Sequence, residues 1–111
     1  MKHDSPENLD LARAASTFAA LGSEQRLEVL RTLVRAGPDG LTIGELGERS
    51  GVTGSTLTHH MKILAAADLV NQAKDGRRII CIGADYERMR VISDYLLNEC
   101  CADSEAPHED H

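Results

Sequence analysis

Apolar residues recur at helical spacing through most of this chain, and the places where that rhythm stops divide it into seven elements. Leu11, Ala14, Ala15, Phe18 and Leu21 form a first stripe, which Gly22 ends. Ser23 is a suitable N-cap for a second helix with a stripe of Leu27, Val29, Leu30, Leu33 and Val34, stopped by Gly37-Pro38. Thr42 and Glu45 have the spacing of a capping box, in which each side chain serves the other residue's backbone N–H, and predict a short helix over 42–50. Ser50-Gly51-Val52 predicts a tight turn. Thr53 then caps a fourth helix through Leu57, Met61, Leu64 and Ala65, ending near Asp68. Leu69–Lys74 and Arg77–Ile82 are strand-like runs on either side of Asp75-Gly76, a strong hairpin signal. A last helix starts around Asp85, carries Met89, Ile92, Leu96 and Leu97, and is expected to end near Cys100-Cys101.

The order α-α-α-α-β-β-α predicts a mainly α domain with a small β-hairpin over 8–101. A polar lead (1–7) precedes it and an acidic, His-containing tail (102–111) follows. Helix, glycine-containing turn, helix over about 42–67 is the helix-turn-helix pattern, and the hairpin behind it makes a winged one. A reading helix needs short hydrogen-bonding side chains on its first exposed turns to reach base edges in the major groove. Thr53, Ser55, Thr56, Thr58, His59 and Lys62 meet that need, while Leu57, Met61 and Leu64 anchor the helix. Lys74, Arg77 and Arg78 lie around the hairpin tip, where they can meet phosphates. His59 and His60 point about 100° apart on a helix, which argues against a shared metal ion. His59 is read as a DNA contact, with packing or capping as the alternative.

Net charge is −6, which alone argues against nucleic acid, but its distribution reverses the inference. Between Thr53 and Arg78 four basic residues (Lys62, Lys74, Arg77, Arg78) face two acids (Asp68, Asp75), whereas Asp103 onward holds four acids and no Lys or Arg. Aromatic residues make up only 3% of the chain, so the core is aliphatic and an oligomer would help to complete it. No apolar run is long enough to span a bilayer and no secretory signal is present, so a cytoplasmic chain with reduced thiols is expected.

Three cysteines remain, and two are adjacent. Neighbouring Cα atoms lie about 3.8 Å apart, below the usual disulfide range of about 4.4–6.8 Å. Such a pair suits chelation of a soft, thiol-seeking ion better than a structural disulfide. A thiol enzyme would want its nucleophile at a helix N-terminus, where the thiolate is stabilised. Cys100 and Cys101 follow a helix C-terminus, so no enzyme is expected.

The stretches FAALGSEQRLEVLRTL from Phe18, TIGEL from Thr42, GSTLTHHMKIL from Gly54 and DGRR from Asp75 resemble the ArsR/SmtB family of bacterial repressors. The resemblance covers about residues 10–101. It implies a homodimer joined through the first and last helices, binding double-stranded operator DNA and released by an inducer. It also makes the helix from Thr53 the recognition helix and Asp75–Arg78 the wing. The family's familiar arsenic site, a Cys-x-Cys motif at the third helix, is missing from Ile43-Gly44-Glu45-Leu46-Gly47. Its zinc site on the last helix needs histidines that this helix lacks. The pair Cys100-Cys101 resembles another arsenic-responsive branch, without that branch's third downstream cysteine.

Trivalent arsenic makes three bonds, and a methylated arsenical already uses one on carbon, so two thiolates suffice. Methylarsenite is the sharper expectation for the inducer and arsenite the other, with no permanent cofactor. Cys81 is a candidate third sulfur, its alternative being a small core hydrophobe. On an ideal helix the two thiols diverge, so binding is expected to require unwinding of the last turn. Zinc held by Cys100, Cys101, His108 and His111 is one rival. A redox or reactive-sulfur sensor using Cys81 as partner is another.

Overall fold

The computed structural model describes residues 9–105. Its helices are α1 (Leu11–Ala20), α2 (Glu24–Ala36), α3 (Ile43–Ser50), α4 (Gly54–Ala66) and α5 (Tyr86–Leu97). Its strands are β1 (Leu41–Thr42), β2 (Val70–Asp75) and β3 (Arg78–Gly83), which form an antiparallel sheet in the order β1-β3-β2. This is a winged helix-turn-helix fold. The lead expected at 1–7, with His108 and His111, lies outside the described residues.

Side-chain caps begin the helices where the sequence supplies them. Asp10, Ser23 and Asp85 accept the backbone N–H of Arg13, Arg26 and Arg88. The capping box forms in full: Glu45 N–H donates to Thr42 Oγ1 at 3.1 Å and Thr42 N–H donates to Glu45 Oε1 at 2.9 Å. Donation to the ionised carboxylate from the Thr42 backbone N–H first, and then from its side chain, holds the Glu45 pKa below its ordinary value. Thr53 corrects the expectation in part. It occupies the N-cap position of α4, but its side chain makes no capping bond.

The core is aliphatic, and Val29, Leu33, Leu46, Leu64, Leu69 and Cys81 are its largest fully buried members. Each such leucine stabilises the fold by about 1.5–3 kcal/mol relative to exposure. Two expected stripes are corrected. On α2 the buried residues are Val29, Leu30, Thr32 and Leu33, whereas Leu27 and Val34 are exposed. At about 100° per residue those two fall about 120–140° from the centre of the inward face, and half-buried Arg26 lies nearer to it. On α1 the inward residues are Ala14, Thr17 and Ala20, leaving Leu11 and Phe18 outward.

The hairpin turn lies one residue later than Asp75-Gly76 suggested. Asp75 pairs with Arg78 across the strands, so Gly76 and Arg77 are the central residues. Gly76 has φ +65°, the left-handed conformation that a glycine at the first central position of a II′ hairpin adopts cheaply. Strand β1 was not expected. It exists because Leu41 and Thr42 pair with Cys81 and Ile80, and Gly40 allows the approach: a Cβ there would meet Cys81 O at 2.5 Å.

Candidate nucleic-acid interface and thiol site

Helix α4 separates its side chains into two nearly opposite faces. Leu57, His60, Met61 and Leu64 are buried, at relative positions i, i+3, i+4 and i+7. Ser55, Thr58, His59 and Lys62 have the same spacing on the other side and are exposed, as are Thr53 and Thr56. The buried set fixes the helix against α2, and the exposed set offers hydroxyl, imidazole and ammonium groups to a groove. Thr58 Oγ1 donates back to Gly54 O at 3.4 Å, so its hydroxyl is partly turned to its own helix.

The wing brings a second basic group into solvent. Lys74, Arg77 and Arg78 are all exposed. Arg78 Nη2 lies 3.2 Å from Asp75 Oδ2, which offsets part of its charge. Among the described residues Arg77 has no such carboxylate partner. The nine residues expected to face DNA are thus all solvent-facing, on α4, at its N-cap Thr53 and on the wing.

The packing alternative weighed for the His59-His60 pair holds for His60, which lies beneath this surface with half-buried Arg26, a residue the sequence did not single out. His60 is buried, with Nε2 3.2 Å from Gln25 Oε1 and Nδ1 3.4 Å from Arg26 Nη1. Burial first, then the charge of Arg26 and the neighbouring His59, hold its pKa below the ordinary 6.5. The signal was available: position 60 falls between Leu57 and Leu64 on the inward stripe, where a polar ring needs partners.

The cysteine pair departs from the expected geometry. Helix α5 stops at Leu97, before the cysteines, and both thiols lie exposed in the turns that follow. Cys101 has φ +64°, a left-handed conformation that costs about 1–2 kcal/mol for a residue with a Cβ. The two Sγ atoms lie 3.6 Å apart instead of diverging. Thiolates at about 2.3 Å from one tetrahedral centre are about 3.8 Å apart, so the pair already has the span of a chelate. Cys81 is fully buried in β3, with Gln72 Nε2 donating towards its sulfur at 3.9 Å, and burial pushes its thiol pKa up. Among the described residues no three His, Cys, Asp or Glu side chains cluster as a metal site.

Outward apolar residues collect on α1 and α5. Leu11, Phe18, Leu96 and Leu97 are exposed, and the Phe18 and Tyr95 rings meet with centroids 6.3 Å apart. No helix of the described residues is long and apolar enough to cross a membrane.

Residues 21–73, from the end of α1 into β2, match the helix-turn-helix domain family. An uncharacterised HTH-type transcriptional regulator of Bacillus subtilis (strain 168), YceK, is 40% identical over 63 residues. That match covers 57% of this chain and 62% of the relative, less than two thirds of its length. An ArsR-like transcriptional regulator from Rhodococcus sp. RHA1 shares the fold with TM-score 0.62 and 28% identity, over 86% of this chain and 96% of that one. The homodimeric winged helix-turn-helix DNA-binding domain of a possible ArsR-family regulator from Mycobacterium bovis gives TM-score 0.64. It covers 90% of each chain, and at 18% identity it bears on the fold alone. The chain therefore carries a helix-turn-helix domain of the type found in DNA-binding transcriptional regulators, and its structural neighbours include ArsR-family winged-helix proteins.

Proposed function

We propose that this chain is a transcriptional repressor that binds duplex operator DNA as a homodimer and is released when a trivalent arsenical bridges Cys100 and Cys101. The observation that carries the DNA reading is the split of α4 into a buried apolar face and an exposed Ser/Thr/His/Lys face, with a basic wing beside it. The homodimer is supported by the exposed Leu11, Phe18, Leu96 and Leu97 on α1 and α5. The inducer reading rests on two exposed thiols with Sγ atoms 3.6 Å apart. Thiolates favour a soft centre over carboxylate-seeking ions. Methylarsenite, already carrying one carbon bond, needs only these two sulfurs and leaves Cys81 in the core.

The test starts with duplexes selected by the protein from a random library, followed by release of a fluorescent selected duplex under reducing conditions. Methylarsenite is expected to release it at concentrations where arsenite does little. Better release by arsenite would require a third ligand, Cys81 first. Release by zinc alone would replace the arsenical with a divalent ion and the tail histidines. Failure to select any duplex would overturn the DNA reading.

A further inference from the structure

Arg26 on the inward side of α2 and His60 on the inward side of α4 are polar side chains of opposite capability, and the two meet. A guanidinium only donates, so Arg26 Nη1–H donates to His60 Nδ1, and His60 Nε2–H donates to Gln25 Oε1. This pattern selects the neutral ring in one tautomer. The same guanidinium donates from Nε to Ala20 O at 2.7 Å. Ala20 ends α1, where backbone carbonyls lack helical partners and the helix dipole is negative. A single side chain thus belongs to α2, closes α1 and holds the recognition helix.

Packing joins the same elements only in part: Ala20 of α1 shares the core cluster with Leu57, Met61 and Leu64 of α4. A cleft of about 480 Å³ separates α1 from α4, walled largely by the small residues Ser16, Ala19, Ala20 and Ala66, with Arg26 on its lining. Arg13, also on α1, reaches Asp68 just beyond α4 at 3.4 Å, but that pair is solvent-exposed enough to be weak. Beside this cleft, the bonds of Arg26 to Ala20 and His60 are the polar contacts that join α1 to α4 through α2.

We propose that Arg26 is the positioning residue that couples α1 to the recognition helix through a neutral His60, so that movement of the dimerisation helix changes operator affinity. The proposal rests on the DNA-binding reading above. A proton on Nδ1 would set N–H against N–H and break the link. The charged or titratable groups facing the ring are Arg26 from α2 and His59 from α4 itself; Gln25 is neutral, and α1 contributes through the Ala20 carbonyl that Arg26 binds. Coupling is therefore complete when the ring is neutral. It is lost as pH falls below 6.5 and through the lower value of the folded state.

The experiment uses the full chain carrying His59→Gln, which leaves His60 as the one imidazole on α4. Affinity for the selected duplex, measured across that pH range, is expected to fall by up to roughly 100-fold per unit for two protons per dimer. His60→Gln, whose amide can accept from Arg26 and donate to Gln25, should keep affinity and flatten the profile. Arg26→Lys replaces the planar fork that spans Ala20 and His60 with a single ammonium nitrogen on a flexible stem, and should lose about tenfold in affinity at neutral pH, with cooperative melting retained. Imidazole ¹⁵N shifts of the parent should show Nδ1 bare and Nε2 protonated. A ring protonated at Nδ1, or Arg26→Lys binding as tightly as the parent, overturns the linkage. A parent with the expected tautomer that binds no duplex overturns the DNA reading instead.

Discussion

Replacing Arg77 by alanine removes a positive charge from the hairpin turn, where among the described residues no carboxylate offsets it. A lysine or arginine that neutralises a phosphate releases a counterion and adds about 0.9 to the slope of log affinity against log salt. A dimer presents two wings, so Arg77→Ala should make the slope shallower by about 1.8. Over a fourfold rise in salt this amounts to roughly a 12-fold smaller fall in affinity. Arg78 behaves differently, because Asp75 sits 3.2 Å from its guanidinium. Asp75→Asn frees that charge and should steepen the salt dependence, the opposite sign from Arg77→Ala at the same hairpin. The assay is fluorescence anisotropy of the selected duplex across a salt series, with melting curves to verify folding. Folded Arg77→Ala with the parent's slope would remove the wing from the DNA contacts.

Other substitutions separate the remaining parts of the argument. Cys100→Ser and Cys101→Ser should each bind DNA like the parent but no longer be released by methylarsenite; normal release of both would eliminate the thiol site. Leu97→Asp, on the exposed apolar end of α5, should give monomers in sedimentation and weaken operator binding, and an unchanged dimer would move the interface elsewhere. Thr42→Ala opens the capping box and should lower stability by about 1 kcal/mol, or about 4–8 °C in melting temperature. Because the folded pKa of Glu45 is depressed, its cap contributes above pH 4.5 and is lost as pH falls through the lower folded value. A Thr42→Ala melting curve superimposable on the parent's would contradict that account.

Local chemistry made much of this molecule legible. Ser23 and the Thr42–Glu45 box act through neighbours three residues away, so their positions in the chain sufficed to place the starts of α2 and α3. The exposed reading face of α4 followed from the same helical period that buries Leu57, Met61 and Leu64. Strand β1 was not legible, because two residues carry no period and its reason for existing lies at Cys81 and Ile80. The contact between Arg26 and His60 was not legible for a related reason: each is a polar interruption until the other helix is brought beside it, although packing stands as an alternative for the histidine pair. The thiol geometry depends on the positive φ of Cys101, which adjacency of two cysteines does not specify.

These connections give induction a physical route and a way to break it. The cysteine turn follows α5, whose Tyr95 packs on Phe18 of α1; α1 ends at the carbonyl held by Arg26, which reaches His60 on the recognition helix. An arsenical can shift the DNA-binding state only by its difference in affinity for the two arrangements of this path. A coupling of about 1–3 kcal/mol suffices for release, because half-sites about 34–36 Å apart require the two recognition helices at a fixed separation. Arg26→Lys should therefore uncouple the ends: methylarsenite still titrates the two thiols, while the affinity of the remaining DNA complex changes much less than in the parent. Direct thiol titration beside duplex anisotropy measures both. If the variant binds the arsenical and releases DNA with the parent's full change in affinity, the signal does not pass through Arg26.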